Sequence, residues 1–236
     1  MEEKKPILTA RNISVAFNGM PPVLTNVSFE VKDKDMLAVI GPNGAGKSVL
    51  LKTLIGIIKP TAGNFSFRSG TTIGYLPQRF HVDYYLPMTI KEFLGLKPHP
   101  KYSIDEALGL VNIGNDWKGK KLGLISSGQL QQVLLAWSIM HQPNLLLVDE
   151  PTENVDIGGQ ESIYHLLHHL KEKLGTAVVI VSHDLTAVSH HASNVLCINT
   201  HRVCYGPPEL TITKESISSL YGEKAFLHYH PHKHEH

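Results

Sequence analysis

Cysteine is scarce: Cys197 and Cys204 are the only two in 236 residues. They flank an expected turn inside apolar segments, and their spacing matches no zinc pattern. No disulfide framework is expected from them, which points to an intracellular chain. Long apolar runs are also missing, and none approaches the roughly 20 residues needed to cross a bilayer. The start, Met1-Glu2-Glu3-Lys4-Lys5, is charged with no apolar stretch behind it, unlike a secretory leader. Any work at a membrane would need a partner to supply the spans. Excess charge of one sign is absent too: 22 basic and 21 acidic side chains leave a formal net charge of +1. That balance gives no global field for nucleic acid, so a phosphate site has to be local. No internal repeat is visible.

What is present is globular in character, with 42% hydrophobic and 18% charged residues. The length suits one large α/β domain or two small lobes. Residues 7–17 and 23–31 alternate and carry β-branched side chains, reading as strands joined at Asn18-Gly19-Met20-Pro21-Pro22. Residues 36–40 form a continuous apolar run of the kind a buried parallel strand shows, with helical character over 49–55. A hairpin is expected over 65–75, turning at Ser69-Gly70. Short helices follow at 89–96 and 103–111, broken by Lys97-Pro98-His99-Pro100. A buried helix is expected over 130–140, strands at 144–148, 177–181 and 194–198, and an amphipathic helix over 160–170. Strands alternating with helices predict an α/β fold with a mostly parallel sheet. An N-terminal antiparallel β subdomain and an inserted helical subdomain, about 87–130, complete a body spanning 1–227. Residues 228–236 form a His-rich tail outside the core.

The apolar run at 36–40 leads into Gly41-Pro42-Asn43-Gly44-Ala45-Gly46-Lys47-Ser48 and then a helix opening near Val49. Strand, glycine-rich loop and helix in that order predict a P-loop NTPase core. The glycines allow backbone N–H groups to point inward, where they and the positive helix end bind phosphates. Lys47 would reach the β and γ phosphates of ATP, and Ser48 would offer its hydroxyl to Mg²⁺. The acidic partner such a loop needs is Leu145-Leu146-Leu147-Val148-Asp149-Glu150: Asp149 for the metal, Glu150 for the attacking water. The plainer readings are a glycine-rich turn with a solvated lysine and a helix-capping acidic pair.

Further motifs then fall in order, and from about residue 7 to 206 the chain resembles the ABC-transporter ATPase family. Gln78 in Tyr75-Leu76-Pro77-Gln78 resembles the Q-loop glutamine, placed at magnesium and at the reaction. Ile125-Ser126-Ser127-Gly128-Gln129 resembles the signature motif, Asp156 the D-loop aspartate and His183 the switch histidine. Phe17 sits where the family stacks an aromatic on adenine. The resemblance implies a head-to-tail homodimer, in which Ser126, Ser127, Gly128 and Gln129 face ATP held by the other subunit. Ser127 departs from the usual glycine, Ile125 from leucine and Gln132 from arginine. A Cβ at 127 restricts the backbone there.

Ile73-Gly74-Tyr75-Leu76-Pro77-Gln78-Arg79 and the segments around Cys197 and Cys204 resemble the metal importers, the zinc-uptake branch in particular. That resemblance implies a separate membrane permease, an extracytoplasmic metal-binding protein, and a place on the cytoplasmic face of the bacterial inner membrane, with no nucleic-acid partner. The alternatives are a manganese or iron importer and a soluble ABC protein acting on ribosomes or DNA. The long coiled-coil insertion or duplicated domain of the latter is not seen. In the tail, His228, His230, His232, His234 and His236 alternate, so an extended chain projects them to one side. Such imidazoles bind Zn²⁺, Ni²⁺ or Cu²⁺; a flexible polar tail or an affinity tag is the other reading. His168-His169 and His190-His191 read as helix-surface residues.

Overall fold

The structure, a computed structural model, describes residues 5–152, 157–199 and 202–222. In chain order these form β1 (Leu8–Val15), β2 (Leu24–Val31), β3 (Met36–Ile40), α1 (Lys47–Leu54), β4 (Ala62–Phe67) and β5 (Ile73–Leu76). Then come α2 (Ile90–Gly95), α3 (Ile104–Leu110), two 3₁₀ turns (Asn115–Gly119 and Leu122–Leu124), α4 (Ser127–Ile139) and β6 (Leu145–Asp149). Last are α5 (Ile157–Leu174), β7 (Ala177–Val181), α6 (Leu185–His191), β8 (Asn194–Asn199), β9 (Arg202–Gly206), α7 (Pro208–Thr211) and α8 (Lys214–Tyr221). The described residues divide into two compact units, one drawn from residues 5–69 and 179–222 and the other from residues 70–178.

In the first unit β1 lies between β2 and β4 in an antiparallel sheet. Its buried residues are Leu8, Ala10, Ile13 and Val15. The spacing slips from two to three between Ala10 and Ile13, where Asn12 takes φ 50° and the register shifts. One extra residue there keeps Ile13 and Val15 on the core face, as a β-bulge does. β3 is buried along its whole length and pairs in parallel with β8, Ile40 opposite Cys197. On its other side the Ser182 N–H donates to Val39 O at 3.1 Å. A strand with neighbours on both edges and no wet face has to be apolar throughout, which is why Met36-Leu37-Ala38-Val39-Ile40 was legible.

In the second unit β5 and β6 run parallel, Ile73 opposite Leu145 and Leu76 opposite Val148. The short helices α2 and α3 each start on a capping box, Thr89 with Glu92 and Ser103 with Glu106. These reciprocal bonds satisfy end groups that such short helices cannot satisfy internally. Helix α4 packs against α3 and β5. Its Trp137 stacks on Phe93 at 4.7 Å between ring centroids, and the Lys97 ammonium lies 4.7 Å above Trp137.

The structure corrects several expectations. Residues 65–75 form no hairpin: β4 pairs with β1, while β5 pairs with β6. The turn at Ser69-Gly70 instead marks the passage between units. Local alternation cannot report which distant strand a segment joins. Cys197 and Cys204 form a disulfide, contrary to the expectation of none. They face each other across the antiparallel β8–β9 pair with Cα atoms 4.9 Å apart, inside the range a disulfide spans. Helix α4 starts at Ser127, earlier than residue 130, because Ser126 caps it. Strand β9 and helices α6, α7 and α8 were not anticipated as elements. His168 and His169 on α5 and His190 on α6 are exposed. Asp156 and the tail histidines lie outside the described residues.

Candidate functional site

In the first unit, the chain leaves β3 at Ile40 and turns through the glycine-rich loop into α1. Gly41 has φ 154°, and a Cβ there would run into the carbonyl oxygen of Ile198 on β8. Gly46, at φ 94°, caps α1 without a side chain; a Cβ would meet Leu24 Cδ2 at 2.8 Å. Neither position admits another residue without moving its neighbours. The loop closes on Lys47, only 5% exposed, whose Nζ donates to Gly41 O at 2.8 Å and Pro42 O at 3.1 Å. The Ala45 N–H donates to Pro42 O at 3.2 Å. Ser48 and Val49, next on α1, are half-buried, while Asn43 and Gly44 are exposed at the loop's crest. Phe17, beyond β1, is 42% exposed, so its ring is not core packing. His183 follows β7 and is exposed. The cap of α6 is Asp184, whose Oδ1 accepts the Ala187 N–H at 2.9 Å, so capping does not account for His183.

In the second unit, Asp149 ends β6 at 1% exposure. Glu150 follows at φ 42°, an unusual region for a residue with a side chain. Its Oε2 accepts a hydrogen bond from Gln78 Nε2 at 3.0 Å, so the loop after β5 and the end of β6 meet through these two side chains. The Tyr75 hydroxyl on β5 is pushed up to about 12, first by burial and then by the negative charge of Asp149. At the start of α4 the Ser126 N–H donates to Gln129 Oε1 at 2.9 Å, and the Gln129 N–H to Ser126 Oγ at 3.3 Å. Two residues of the expected signature thus form a capping box, which fixes how Ser127 and Gly128 enter the helix. Gln78 and Ser127 line one cleft of about 340 Å³ with Phe80, Gln131 and Leu134. Among the described residues, the Gln131 Oε1 is the buried side-chain oxygen without a hydrogen-bond partner.

Sequence reasoning missed the left-handed backbone of Glu150, which no residue type announces. It also missed Tyr221 on α8, whose hydroxyl accepts the Gly41 N–H at 2.8 Å. The two residues lie far apart in sequence, and no motif links them.

A buried parallel strand, a glycine loop closed by a lysine and a helix opening from it define the P-loop class of α/β protein. The ABC transporter family model matches residues 24–153. The chain is 38% identical over 239 residues to the zinc import ATP-binding protein ZnuC of Pasteurella multocida (strain Pm70), covering 98% of this chain and 90% of that protein. It is 39% identical over 238 residues to ZnuC of Yersinia enterocolitica serotype O:8 / biotype 1B (strain NCTC 13174 / 8081), covering 97% and 93%. Among solved structures, an inward-facing ABC transporter assigned to the metal-chelate type superimposes with TM-score 0.82 at 25% identity, covering 92% of this chain and 88% of that one. A nucleotide-free ATP-binding cassette gives TM-score 0.74 at 24% identity, covering 92% and 95%, a likeness of fold. The chain belongs to the ABC transporter family, as one of its ATP-binding, ATP-hydrolysing proteins.

Proposed function

We propose that this chain is the ATPase subunit of a zinc importer, energising a separate membrane permease from the cytoplasmic face of the bacterial inner membrane. The observation that carries the ATPase chemistry is the Gly41–Ser48 loop closed on Lys47. The ZnuC relatives, matched over nearly the whole chain, support zinc over manganese or iron. No described helix is long and apolar enough to cross a membrane, which accords with a partner supplying the spans.

In this reading the loop residues 41–49 and the start of α1 bind the ATP phosphates, with Lys47 as their main cation. Phe17 stacks on adenine. Ser48, Asp149 and Gln78 carry hard oxygen donors of the kind Mg²⁺ takes, and Asp149 is a buried anion whose charge already acts on Tyr75. Magnesium supplies charge neutralisation on the phosphates. Glu150 takes the proton of the attacking water at its carboxylate, while Gln78 Nε2 holds that carboxylate in place. His183 positions the γ-phosphate side of the site. Ser126, Ser127, Gly128 and Gln129 serve the ATP of a second copy, so the working unit is a homodimer, and Asp156 is its D-loop aspartate. The helical segment over about 87–130 and the Gln78 loop receive the permease. An extracytoplasmic metal-binding protein acts through that permease. ATP turnover of the reconstituted complex, measured against binding proteins loaded with zinc, manganese or iron, tests the assignment. Zinc alone should stimulate, and stimulation by manganese or iron alone overturns it.

The tail histidines 228, 230, 232, 234 and 236 are proposed to bind cytoplasmic Zn²⁺. Equal zinc affinity, by calorimetry, of the full chain and a chain ending at Leu227 would refute this.

A further inference from the structure

Gly41 stands where β3 becomes the phosphate loop, and side chains take both of its backbone polar groups. Its carbonyl accepts from Lys47 Nζ at 2.8 Å and its N–H donates to the Tyr221 hydroxyl at 2.8 Å. The carbonyl of Ile198 excludes a Cβ at this position, so the residue has to be glycine. Glycine alone does not fix its own φ and ψ, so the orientation of the peptide entering the loop must come from outside.

Tyr221 is well placed to supply it. Helix α8 is capped by Thr213, whose Oγ1 accepts the Ser216 N–H at 3.2 Å. It is anchored by buried Ile217 and Leu220 and packs on β8. Asn199 Nδ2 at the end of β8 donates to Ser219 O at 3.4 Å. The same strand pairs with β3, Cys197 opposite Ile40. The end of α8 and the first residue of the loop therefore rest on one strand, and the tyrosine hydroxyl joins them.

We infer that Tyr221 is a positioning residue for nucleotide binding: by holding the Gly41 amide it presets the loop that takes the phosphates. The inference rests on the reading of that loop as the ATP site. Gly41 then contributes through backbone geometry, and the inward donors are the later N–H groups. A loop ordered beforehand has less freedom to lose when the ligand arrives, so the benefit falls on affinity and not on the chemical step.

The test is Tyr221→Phe in the full chain, which removes one oxygen and keeps the ring. A net neutral hydrogen bond predicts about five-fold weaker Mg-ATP binding by calorimetry, a matching rise in KM, and kcat within about two-fold. Hydrogen exchange at the Gly41 amide should speed up, with the melting temperature lowered by no more than about 3 °C. A tyrosine that only fills space would leave affinity, KM and Gly41 exchange unchanged, and that result overturns the inference. Lys47→Ala separates the two levels. If it loses nucleotide while Tyr221→Phe binds as the parent does, only the role of Tyr221 fails. If both bind normally, the loop is not the ATP site and both readings fail.

Discussion

The phosphate loop of the first unit and the acidic strand end of the second are held in shape by opposite means. The loop is a backbone device. Its form comes from glycines at φ 154°, 80° and 94°, from a lysine turned onto its own carbonyls and from a tyrosine on the amide of Gly41. The strand end is a side-chain device, in which Glu150 departs from ordinary backbone geometry and Gln78 holds its carboxylate. A backbone device tolerates few residue types, because a Cβ collides at Gly41 and Gly46 and the left-handed φ of Gly44 strains any other residue. A side-chain device tolerates more, and its output depends on one or two hydrogen bonds. Substitutions in the loop should therefore damage folding and binding together, whereas those at the strand end should separate binding from turnover.

Gly41→Ala is the severest break. Placing a Cβ against the Ile198 carbonyl should cost about 2–3 kcal/mol, lower the melting temperature by roughly 5–10 °C and weaken ATP binding at least about ten-fold. Calorimetric melting and nucleotide titration would check both, and a stable variant with normal affinity contradicts the backbone account. Gln78→Ala comes next. Losing a hydrogen bond to a charged group should cut turnover about ten-fold and leave ATP affinity within about three-fold. A parallel loss of affinity would erase the distinction between the two regions.

The smallest effect concerns Tyr75, whose hydroxyl pKa is raised to about 12 by burial and by the Asp149 charge. A group raised in the folded state contributes stability that is complete below its unfolded value near 10 and is lost as pH rises towards 12. Melting temperature followed against pH should thus fall less steeply over that window in Tyr75→Phe than in the parent. Superimposable curves would show that the folded protein does not hold the Tyr75 hydroxyl above its ordinary value.

What could be read in advance follows the same division. β3, β6 and β7 were legible because strands buried on both faces are continuous apolar runs. The loop was legible because its geometry demands glycine at set positions. The capping box at Ser126 explains why α4 begins sooner than its apolar stretch. The pairing of β4 with β1, the cross-strand disulfide and the Tyr221–Gly41 bond depend on which distant segments meet, and local pattern carries no such information. The left-handed turn at Glu150 is a property of the folded surroundings, with no residue preference behind it. The shared cleft of Gln78 and Ser127 likewise emerges only when the loop after β5 and the start of α4 are in place.

In the proposed reading two copies of this chain close on ATP, and Glu150, as base for the attacking water, lets hydrolysis release them. Glu150→Gln with Mg-ATP, followed by light scattering, tests this most directly. The variant should keep ATP affinity within about three-fold, lose turnover by about a hundred-fold or more, and double in mass only with ATP present. A variant that binds ATP yet stays monomeric at every concentration would contradict the account.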